Sequence, residues 1–516
     1  MTAEEMLAGE FGTIPALIRL HAEEQPDFTA LKLYRGRMSY RALDRLMDRV
    51  AAGLQRDGVK PRDTIAICAA AAPEYAAVFL GALRAGAAAV PLSPSATAEN
   101  LLAMLADSGA RHFFADAAAV ALLKPLSLPD GMKLVTLDDS SRGRTFSAWL
   151  PPEDAKPDEI AASPGDPFNI IYSSGTTGMP KGIVQPNGMR WAHVRRGMHY
   201  GYGADAVTII STPLYSNTTL VSFLPTIALG GTAVLMQKFG VAEFLALCER
   251  ERVTHAMLVP AQYKRILAHP DFDKYDLSGF RAKFATSSPF PAALKEEVLE
   301  RWPGGLIDSY GLTEGGGTCM LAAHEFPGKL HTVGRPVPGH DIRLIGEDGK
   351  EVAKGEAGEI VGRSAIMMTG YHNRPDLTAA AEWFDPQGNR FIRTGDIGRF
   401  DEDGFLMLLD RRKDMIISGG FNIYPSDLEA VLLGHEAVAE AAVVAAPSER
   451  WGETPFAFVV PKSGHEIAPE ALREWANGKL GKTQRIAEIR FMQEFPRSPI
   501  GKVLKRELRA ELPLQP

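Results

Sequence analysis

A short apolar run, followed at once by hydroxyl-bearing residues and a Lys-Gly pair, most constrains what this chain can be. Ile170, Ile171 and Tyr172 are typical of a buried strand. Residues 173–182 then read Ser-Ser-Gly-Thr-Thr-Gly-Met-Pro-Lys-Gly. Glycines let backbone N–H groups approach an anion, hydroxyls add donors, and Lys181 supplies a compact positive charge. The pattern favours a phosphate-binding loop. The alternative is a Ser/Gly surface loop with a solvated lysine.

This stretch is not the phosphate loop of kinases and ATPases. Pro180 stands where that motif requires its second glycine, and Gly182 replaces its serine or threonine. The sequence therefore argues against a P-loop nucleotidase.

The length and charge of the chain bound its class. At 516 residues it exceeds the size of one compact core, so we expect two or more domains. A formal net charge of −7 offers no basic surface for nucleic acid. Three widely spaced cysteines exclude a zinc motif among themselves and favour a reducing compartment. The most apolar tract, residues 65–92, contains prolines and charges, so we expect a cytoplasmic protein without a membrane span.

Three further motifs follow along the chain. Residues 308–314 read Asp-Ser-Tyr-Gly-Leu-Thr-Glu, residues 393–396 read Arg-Thr-Gly-Asp, and residues 496–502 read Pro-Arg-Ser-Pro-Ile-Gly-Lys. An aromatic ring can stack on adenine, a carboxylate can hold Mg²⁺ between phosphates, and an aspartate on a turn can accept from both ribose hydroxyls. Each motif alone is as typical of a turn or a solvated charged residue as of a nucleotide-binding site, so the interpretation depends on their joint occurrence.

Together the four motifs resemble, in sequence and order, those of the adenylate-forming (AMP-binding) superfamily, and within it acyl-CoA synthetases, or carboxylate–CoA ligases. Residues 172–182 match every fixed position of that family's phosphate loop, Tyr-[Ser/Thr]-Ser-Gly-[Ser/Thr]-Thr-Gly-x-Pro-Lys-Gly. The resemblance runs from about residue 11 to residue 508. It implies ATP and CoA as co-substrates and Mg²⁺ as the metal cofactor.

The resemblance assigns roles to individual residues. The implied catalytic residues are Lys181, Thr313, Glu314 and Lys502, with Glu314 as the Mg²⁺ ligand. The implied ATP/AMP-binding residues are Ser173, Ser174, Gly175, Thr176, Thr177, Gly178, Lys181, Ser287, Ser288, Asp308, Tyr310, Gly311, Thr313, Asp396, Arg411 and Lys502. The hinge is Lys413, and the CoA-side residues are Ser418, Gly419 and Gly420. From the residues alone, Ser287 and Ser288 could equally cap a strand-to-helix turn.

The resemblance also implies an α/β fold with two domains. Residues 1–412 form a large domain of layered β-sheets flanked by helices, with a barrel-like subdomain. Residues 413–516 form a small, mobile α+β lid that turns at the hinge. Between residues 140 and 164 the chain is polar and proline-rich, which predicts a linker-like surface loop.

The implied activity is an AMP-forming acid–thiol ligase that makes an acyl-adenylate and then a CoA thioester. The alternative is a stand-alone adenylation enzyme that loads an acid onto a carrier protein. A non-catalytic homologue is disfavoured because Lys181, Thr313, Glu314, Asp396, Arg411 and Lys502 are all present. The implied partners are a small carboxylic acid, ATP and CoA, and a homodimer stays open.

The acid itself is less constrained. The implied acyl pocket comprises Tyr215, Ser216, Asn217, Gly315, Gly316 and Gly317, and Ser216 replaces the family's gate histidine. These residues suit a medium-chain fatty acid or an aromatic acid. The pocket-side segments 215–220, 287–290 and 315–319 include no basic residue for a second carboxylate, which disfavours a malonate-type substrate. The context of Lys502 resembles that of relatives switched off by lysine acetylation, which gives the hypothesis that Lys502 is acetylated.

Overall fold

The structure is a computed structural model of the 516-residue chain. It describes residues 1–33, 36–124, 126–138, 143–173, 180–411, 414–418, 421–448, 451–465, 467–481, 484–497 and 503–512, without the side chains of residues 173, 411, 421 and 422. Contacts divide the chain into two compact units. The first is Met1–Leu330, Pro336–Asp341 and Gly362–Ile392, and the second is His331–Arg335, Ile342–Val361 and Arg393–Pro516.

The helices of the described residues are α1 Ala3–Ala8, α2 Ile14–Glu24, α3 Tyr40–Arg56, α4 Pro73–Arg84, α5 Ala98–Ser108, α6 Ala117–Leu122, α7 Phe146–Trp149, α8 Asn187–Met198, α9 Asn217–Ala228, α10 Val241–Arg250, α11 Pro260–Leu267, α12 Ala292–Arg301, α13 Pro375–Ala380, α14 Pro425–Leu433, α15 Pro469–Asn477 and α16 Lys505–Ala510. Short 3₁₀ turns occupy Phe272–Lys274 and Pro327–Lys329.

The strands are β1 Thr29–Lys32, β2 Arg37–Ser39, β3 Thr64–Cys68, β4 Ala88–Pro91, β5 His112–Ala115, β6 Lys133–Thr136, β7 Arg144–Thr145, β8 Pro167–Ser173, β9 Lys181–Pro186, β10 Val207–Ile210, β11 Thr232–Leu235, β12 His255–Leu258, β13 Ala282–Ala285, β14 Gly305–Tyr310, β15 Cys319–Ala322, β16 Arg335–Pro336, β17 Asp341–Ile345, β18 Gly358–Arg363, β19 Gly370–Tyr371, β20 Glu382–Phe384, β21 Arg390–Phe400, β22 Leu406–Arg411, β23 Ile416–Ser418, β24 Phe421–Ile423, β25 Val438–Ser448, β26 Gly452–Pro461 and β27 Glu488–Phe491.

Two large, mostly parallel sheets form the framework of the first unit. One runs β15–β14–β13–β12–β10–β11–β1–β2, and the other runs β19–β9–β8–β4–β3–β5–β6–β7. Helices join the parallel strands, as in β3–α4–β4, where both strands and much of the helix are buried. This arrangement confirms the predicted α/β class with layered sheets.

The β8–β9 hairpin carries the sequence motif that most constrains the chain. Ile170 and Ile171 are buried in β8, as predicted. The strands pair antiparallel from Pro167 opposite Pro186 to Ser173 opposite Lys181. Lys181 and Gly182 therefore lie on a strand rather than in the loop where the sequence placed them. Of the predicted loop, residues 174–179 lie outside the described residues.

Two local predictions were wrong. The stretch from 140 to 164 is not structureless, because β7 and α7 lie within it and the Trp149 ring is buried with its Nε1 donating to Asp57 (2.9 Å). The apolar pattern predicts a helix over residues 221–230. Helix α9 instead begins at Asn217, four residues earlier. Its first turn, Asn-Thr-Thr, is polar because it faces other polar groups, so hydrophobic periodicity alone missed it.

The second unit contains strands of two sheets. In the first, β17, β18, β21 and β22 are neighbours in that order. In the second, the order is β24–β23–β26–β25, and β27 pairs parallel with β26. Helices α14 and α15 cover the second sheet through Leu428, Leu432, Leu472 and Ala476, all fully buried. This α+β part has its own apolar core.

Within the described ranges, every helix is too short or too polar to cross a lipid bilayer.

Candidate active site

One end of the β8–β9 hairpin carries a lysine, a tyrosine and a glutamate in contact. The Lys181 ammonium lies 5.3 Å from the centre of the Tyr371 ring. The Tyr371 hydroxyl donates to Glu314 Oε1 (2.8 Å). Strand β19 places Tyr371 there by pairing with β9, Tyr371 opposite Ile183. Burial, reinforced by Glu314, raises the pKa of Tyr371, so its hydroxyl stays a donor at neutral pH.

A buried polar network ties the same hairpin to the Thr313 backbone. Asn169 on β8 and Gln185 on β9 are fully buried, lie opposite one another, and bond from Asn169 Nδ2 to Gln185 Oε1 (3.0 Å). Gln185 Nε2 donates to the Thr313 carbonyl (2.6 Å). The guanidinium of Arg190 on α8 donates to Asn169 (3.1 Å), Gln185 and Asn217 (2.9 Å). The network fixes the β8–β9 hairpin relative to the Thr313 backbone.

Ser287 contacts helix α9 and does not cap helix α12. Its hydroxyl bonds the Thr218 hydroxyl on α9 (2.6 Å). Helix α12 begins after Pro291 without any side-chain cap, which removes the alternative in which Ser287 or Ser288 caps it. Ser287 has φ of +79°, a conformation that costs a non-glycine residue energy and often marks functional sites.

Asp308 and Tyr310 lie on β14, where the strand leads into the Gly-Leu-Thr-Glu sequence. The Asp308 carboxylate is buried and lies 2.7 Å from the Lys295 ammonium, which also donates to the Leu330 carbonyl (2.9 Å). Burial raises the pKa of Asp308, and Lys295 opposes that effect. Tyr310 ends the strand and is 9% exposed. The ion pair with Lys295 fixes the position of the Asp308 carboxylate.

The glycines after Glu314 are required by close backbone packing. Gly315 and Gly316 have φ of +75° and +90°. A Cβ on Gly315 would lie 2.1 Å from the Ile366 carbonyl oxygen, and one on Gly316 would lie 2.8 Å from the Gly362 carbonyl oxygen. The backbone N–H of Met368 also donates to the Glu314 carbonyl (2.8 Å). Segment 362–368 thus packs directly against the backbone of residues 314–316. This contact explains the two glycines, and the sequence alone did not reveal it.

Tyr215 and Ser216 lie just before α9. Burial raises the pKa of the Tyr215 hydroxyl. Ser216 occupies the position before the first helical residue, is 9% exposed, and makes no side-chain cap bond. A small neutral hydroxyl therefore lies at the position where the family has a histidine. Asn217 beside it accepts a hydrogen bond from Arg190.

In the second unit, Asp396 on β21 and Arg411 on β22 lie opposite one another in antiparallel register. Asp396 is 8% exposed, and its backbone N–H donates to the Thr394 hydroxyl (3.0 Å). Arg393 forms a two-pronged ion pair with buried Glu359. Ser418 is buried at the end of β23 and pairs with Phe421 and Gly452.

Several predicted site residues lie outside the described residues: Ser174, Gly175, Thr176, Thr177, Gly178, Lys413, Gly419, Gly420 and Lys502. Ser173 and Arg411 are placed on their strands, but their side chains are not described. Lys505, expected to be a solvated neighbour of Lys502, instead forms an ion pair with Glu429 (2.8 Å) and is only 17% exposed.

Sequence reasoning missed Tyr371, Gln185, Arg190, Asn169 and Thr218. Tyr371 was considered structural, because nothing local in Gly-Tyr indicates a lysine and a glutamate beside it. Asn169 and Gln185 did carry a signal, since each interrupts an apolar strand with a side chain that must find a partner when buried.

The donor set suits a magnesium ion held largely by phosphates. Tyr371 occupies Glu314 Oε1 and leaves the other carboxylate oxygen for a cation. The described residues contain no group of three or more His, Cys, Asp or Glu side chains that could enclose a metal. Mg²⁺ commonly binds one or two carboxylates together with substrate phosphates, and a single glutamate fits that mode.

Comparison with known proteins supports the interpretation of the motifs. Residues 18–372 match the family model "AMP-binding enzyme", and residues 427–502 match "AMP-binding enzyme C-terminal domain". A fatty acid–[acyl-carrier-protein] ligase, ScoC, from Streptomyces coeruleorubidus is 31% identical over 509 residues, covering 96% of this chain and 96% of the relative. A feruloyl-CoA synthase from an Amycolatopsis species is 34% identical over 497 residues, covering 95% and 96%.

The fold agrees with solved structures of the same kind. ATP-bound MatB from Rhodopseudomonas palustris superposes with a TM-score of 0.88 at 27% identity, covering 97% of this chain and 99% of that one. The chain therefore belongs to the AMP-binding enzymes of the adenylate-forming superfamily, as an AMP-forming acid–thiol ligase of the acyl-CoA synthetase type.

Proposed function

We propose that this protein joins a carboxylic acid to coenzyme A in two half-reactions at one site. The observation that carries the proposal is the contact of Lys181, Tyr371 and Glu314 at the end of the phosphate hairpin, with Thr313 held to the same hairpin through Gln185. A phosphate-loop lysine, a metal-binding carboxylate and a threonine of the second motif thus converge in one place. The convergence suits charge neutralisation of a triphosphate.

In the first half-reaction a substrate carboxylate oxygen attacks the α-phosphorus of ATP. The P–O bond to the β-phosphate breaks, leaving acyl-AMP and pyrophosphate. Such a transfer requires alignment and neutralisation of developing charge more than covalent catalysis. Lys181 and the loop at 173–178 bind the β- and γ-phosphates, Thr313 and Lys502 contact the α-phosphate, and Tyr310 stacks on adenine. Asp396 and Arg411 bind the ribose.

Magnesium, when bound to Glu314 and the phosphates, neutralises triphosphate charge. Tyr371 has a supporting role here, because its hydroxyl bond fixes one Glu314 oxygen and so orients the other. Its ring face meanwhile holds the Lys181 ammonium without withdrawing its charge from the phosphates.

In the second half-reaction the thiolate of CoA attacks the acyl carbonyl carbon. The acyl–phosphate bond breaks, and AMP leaves. Ser418, at the end of β23, would be presented to the site together with Gly419 and Gly420 after rotation at Lys413, while Lys502 withdraws. Domain motion then switches one site between two chemistries.

An acyl carrier protein is the second candidate acceptor. The observation in its favour is the 31% identity, over nearly the whole chain, to a ligase named for loading fatty acids onto acyl carrier protein. Both acceptors present a thiol on a phosphopantetheine arm, so the adenylation half-reaction is common to the two.

The test measures pyrophosphate release from ATP·Mg²⁺ across a panel of fatty and aromatic acids, each alone, with CoA, and with a phosphopantetheinylated carrier protein. Multiple turnover that needs CoA, with thioester confirmed by mass, supports the CoA ligase. Pyrophosphate release that is stimulated by the carrier protein and not by CoA would instead support the carrier-protein ligase. Absence of release with every acid would contradict the proposed function.

A further inference from the structure

Helix α8 presents a row of basic side chains to the interior of the first unit. Arg190, His193 and Arg196 recur at three-residue spacing, so their side chains fall on one broad face of the helix. Arg190 is 1% exposed and His193 is 6% exposed. Arg195, the next residue to Arg196, points to solvent. The buried face is thus distinct from the ordinary charged surface of a helix.

The nitrogen atoms on this face are incompletely satisfied. Arg190 Nη1, His193 Nδ1 and Arg196 Nη1 are each buried without a hydrogen-bond partner among the described residues. Arg190 donates its other hydrogens only to neutral amide oxygens, those of Asn169, Gln185 and Asn217. All three nitrogens belong to one helix, so unpartnered buried donors are concentrated on this face.

No carboxylate balances these charges within the described part of the chain. None of the three basic side chains forms an ion pair, whereas nearby buried Lys295 has Asp308. Burial lowers the pKa of Arg190 to about 9, so the guanidinium is still charged at neutral pH. Buried charges in proteins are normally paired, and no described residue supplies an acid for these two arginines, so a ligand carboxylate would complete the pairing.

The face borders the segments assigned to the acyl pocket. At the near end Arg190 contacts Asn217 (2.9 Å) and, through Gln185, the Thr313 carbonyl. At the far end Arg196 lies close enough to His340 to lower its pKa to about 4, after the larger effect of burial. His340 Nδ1 in turn accepts from the Thr318 N–H (3.0 Å), directly after the 315–317 glycines. The basic face therefore runs from Asn217, at the start of α9, to Thr318, directly after the 315–317 glycines.

We propose that the acid activated by this protein is a dicarboxylic acid, whose second carboxylate is received by Arg196 and His193 at the far end of the basic face of α8. This inference rests on the proposed function and deepens it. It reverses the expectation from residues 215–220 and 315–319, because the basic groups come from another element. A guanidinium with free donors is suited to bidentate binding of a carboxylate.

The experiment compares each acid with its own mono-methyl ester. A panel of linear diacids of three to ten carbons, and of benzene dicarboxylic acids, is assayed with ATP·Mg²⁺ and CoA beside the matched half-esters. A site built around an unpaired buried cation should prefer the best diacid over its half-ester by about 30-fold or more in kcat/KM. Equal rates, or preference for the half-ester, would overturn the inference while leaving the proposed function standing.

Substitution locates the preference on α8. Arg196→Met keeps the length of the side chain and removes the charge, so the diacid to half-ester ratio should collapse toward one, mainly through KM for the diacid. Arg195→Met, on the same helix but exposed, should retain the wild-type ratio. A ratio unchanged in Arg196→Met would contradict the assignment. If that variant does not fold, the wild-type ratio still decides the proposal. Absence of release with both members of every pair, beside release with a fatty or aromatic monoacid, would overturn the inference and leave the proposed function standing.

Discussion

At the scale of single residues, the Tyr371 side chain contacts two charged groups through two different parts, its ring and its hydroxyl. Its ring face lies under the Lys181 ammonium, and its hydroxyl donates to Glu314. Each contact orients a charged group that the proposed mechanism uses. The two contributions can be separated because phenylalanine keeps the ring and loses only the hydroxyl.

Tyr371→Phe should lower kcat/KM for ATP by about 10- to 100-fold, the range expected when a hydrogen bond to a charged group is lost. Tyr371→Leu should lose more, because the ring under Lys181 disappears as well. The measurement is acid-dependent pyrophosphate release at varied ATP·Mg²⁺. Wild-type kinetics in the phenylalanine variant would show that the contact with Glu314 has no catalytic consequence.

His340 predicts a pH dependence of stability. Burial and the Arg196 guanidinium lower its pKa from 6.5 to about 4, so the folded state holds the ring neutral. Between those values the unfolded chain binds more protons, and stability from this group is lost as the pH falls through the window and is constant above it. Because the ring is partly exposed, the slope should stay below the limit of about 1.4 kcal/mol per pH unit for one group.

Urea unfolding at several pH values from 4 to 7.5 tests this expectation. His340→Gln can still accept from the Thr318 N–H, and it should flatten the rise of the unfolding midpoint between pH 4 and 6.5 relative to the wild type. An identical profile in the variant would mean that His340 titrates normally in the folded protein.

At the scale of elements, the segment after Glu314 illustrates why glycine is required where two backbones touch. Gly315→Ala should destabilise the protein and impair adenylation, because its Cβ would meet the Ile366 carbonyl at 2.1 Å and force the Glu314 backbone to move. Gly349 has the same φ of +75° with open space around it. Gly349→Ala therefore isolates the conformational cost, roughly 1–2 kcal/mol.

Thermal unfolding and pyrophosphate release should be measured for both glycine variants. We expect a small loss of stability in Gly349→Ala with full activity, and a larger loss of both in Gly315→Ala. Equal behaviour of the two variants would show that the backbone contact with segment 362–368 is not constraining.

Much of the element order followed from local sequence, and the tertiary network did not. The apolar run at residues 170–172 predicts a buried strand, and strand β8 lies there. Arg190 was not recognised because its partners, Asn169, Gln185 and Asn217, come from three other elements. Lys505 appeared solvated until Glu429 of α14 was placed beside it. Contacts between distant segments are set by packing that no local pattern encodes.

At the scale of the whole molecule, the two proposed half-reactions use two arrangements of the same chain. The family matches cover a larger N-terminal region and a separate C-terminal region, residues 18–372 and 427–502. The proposed hinge residue Lys413 and the proposed catalytic residue Lys502 are sequence matches that lie outside the described residues. Each has a distinct kinetic consequence, so both can be tested without a second structure.

Lys413→Pro should slow thioester formation while sparing adenylation, because proline restricts rotation of the backbone at the hinge. Lys502→Ala should show the reverse pattern, with adenylation reduced by about 10²- to 10³-fold, as for removal of other preorganised charge donors. The measurements are single-turnover acyl-AMP formation and thioester formation from supplied acyl-AMP. Arg506→Ala, an exposed neighbour, is the control for Lys502. Equal loss in both half-reactions for Lys413→Pro would reject the hinge.

The most direct test of the central claim is exchange of labelled pyrophosphate into ATP in the absence of CoA. Reversible formation of acyl-AMP requires that label enter ATP only when a carboxylic acid is present, and that it do so without any thiol. The account predicts this acid-dependent, CoA-independent exchange. Exchange that needs CoA, or none with any acid of the diacid and monoacid panels, would contradict it.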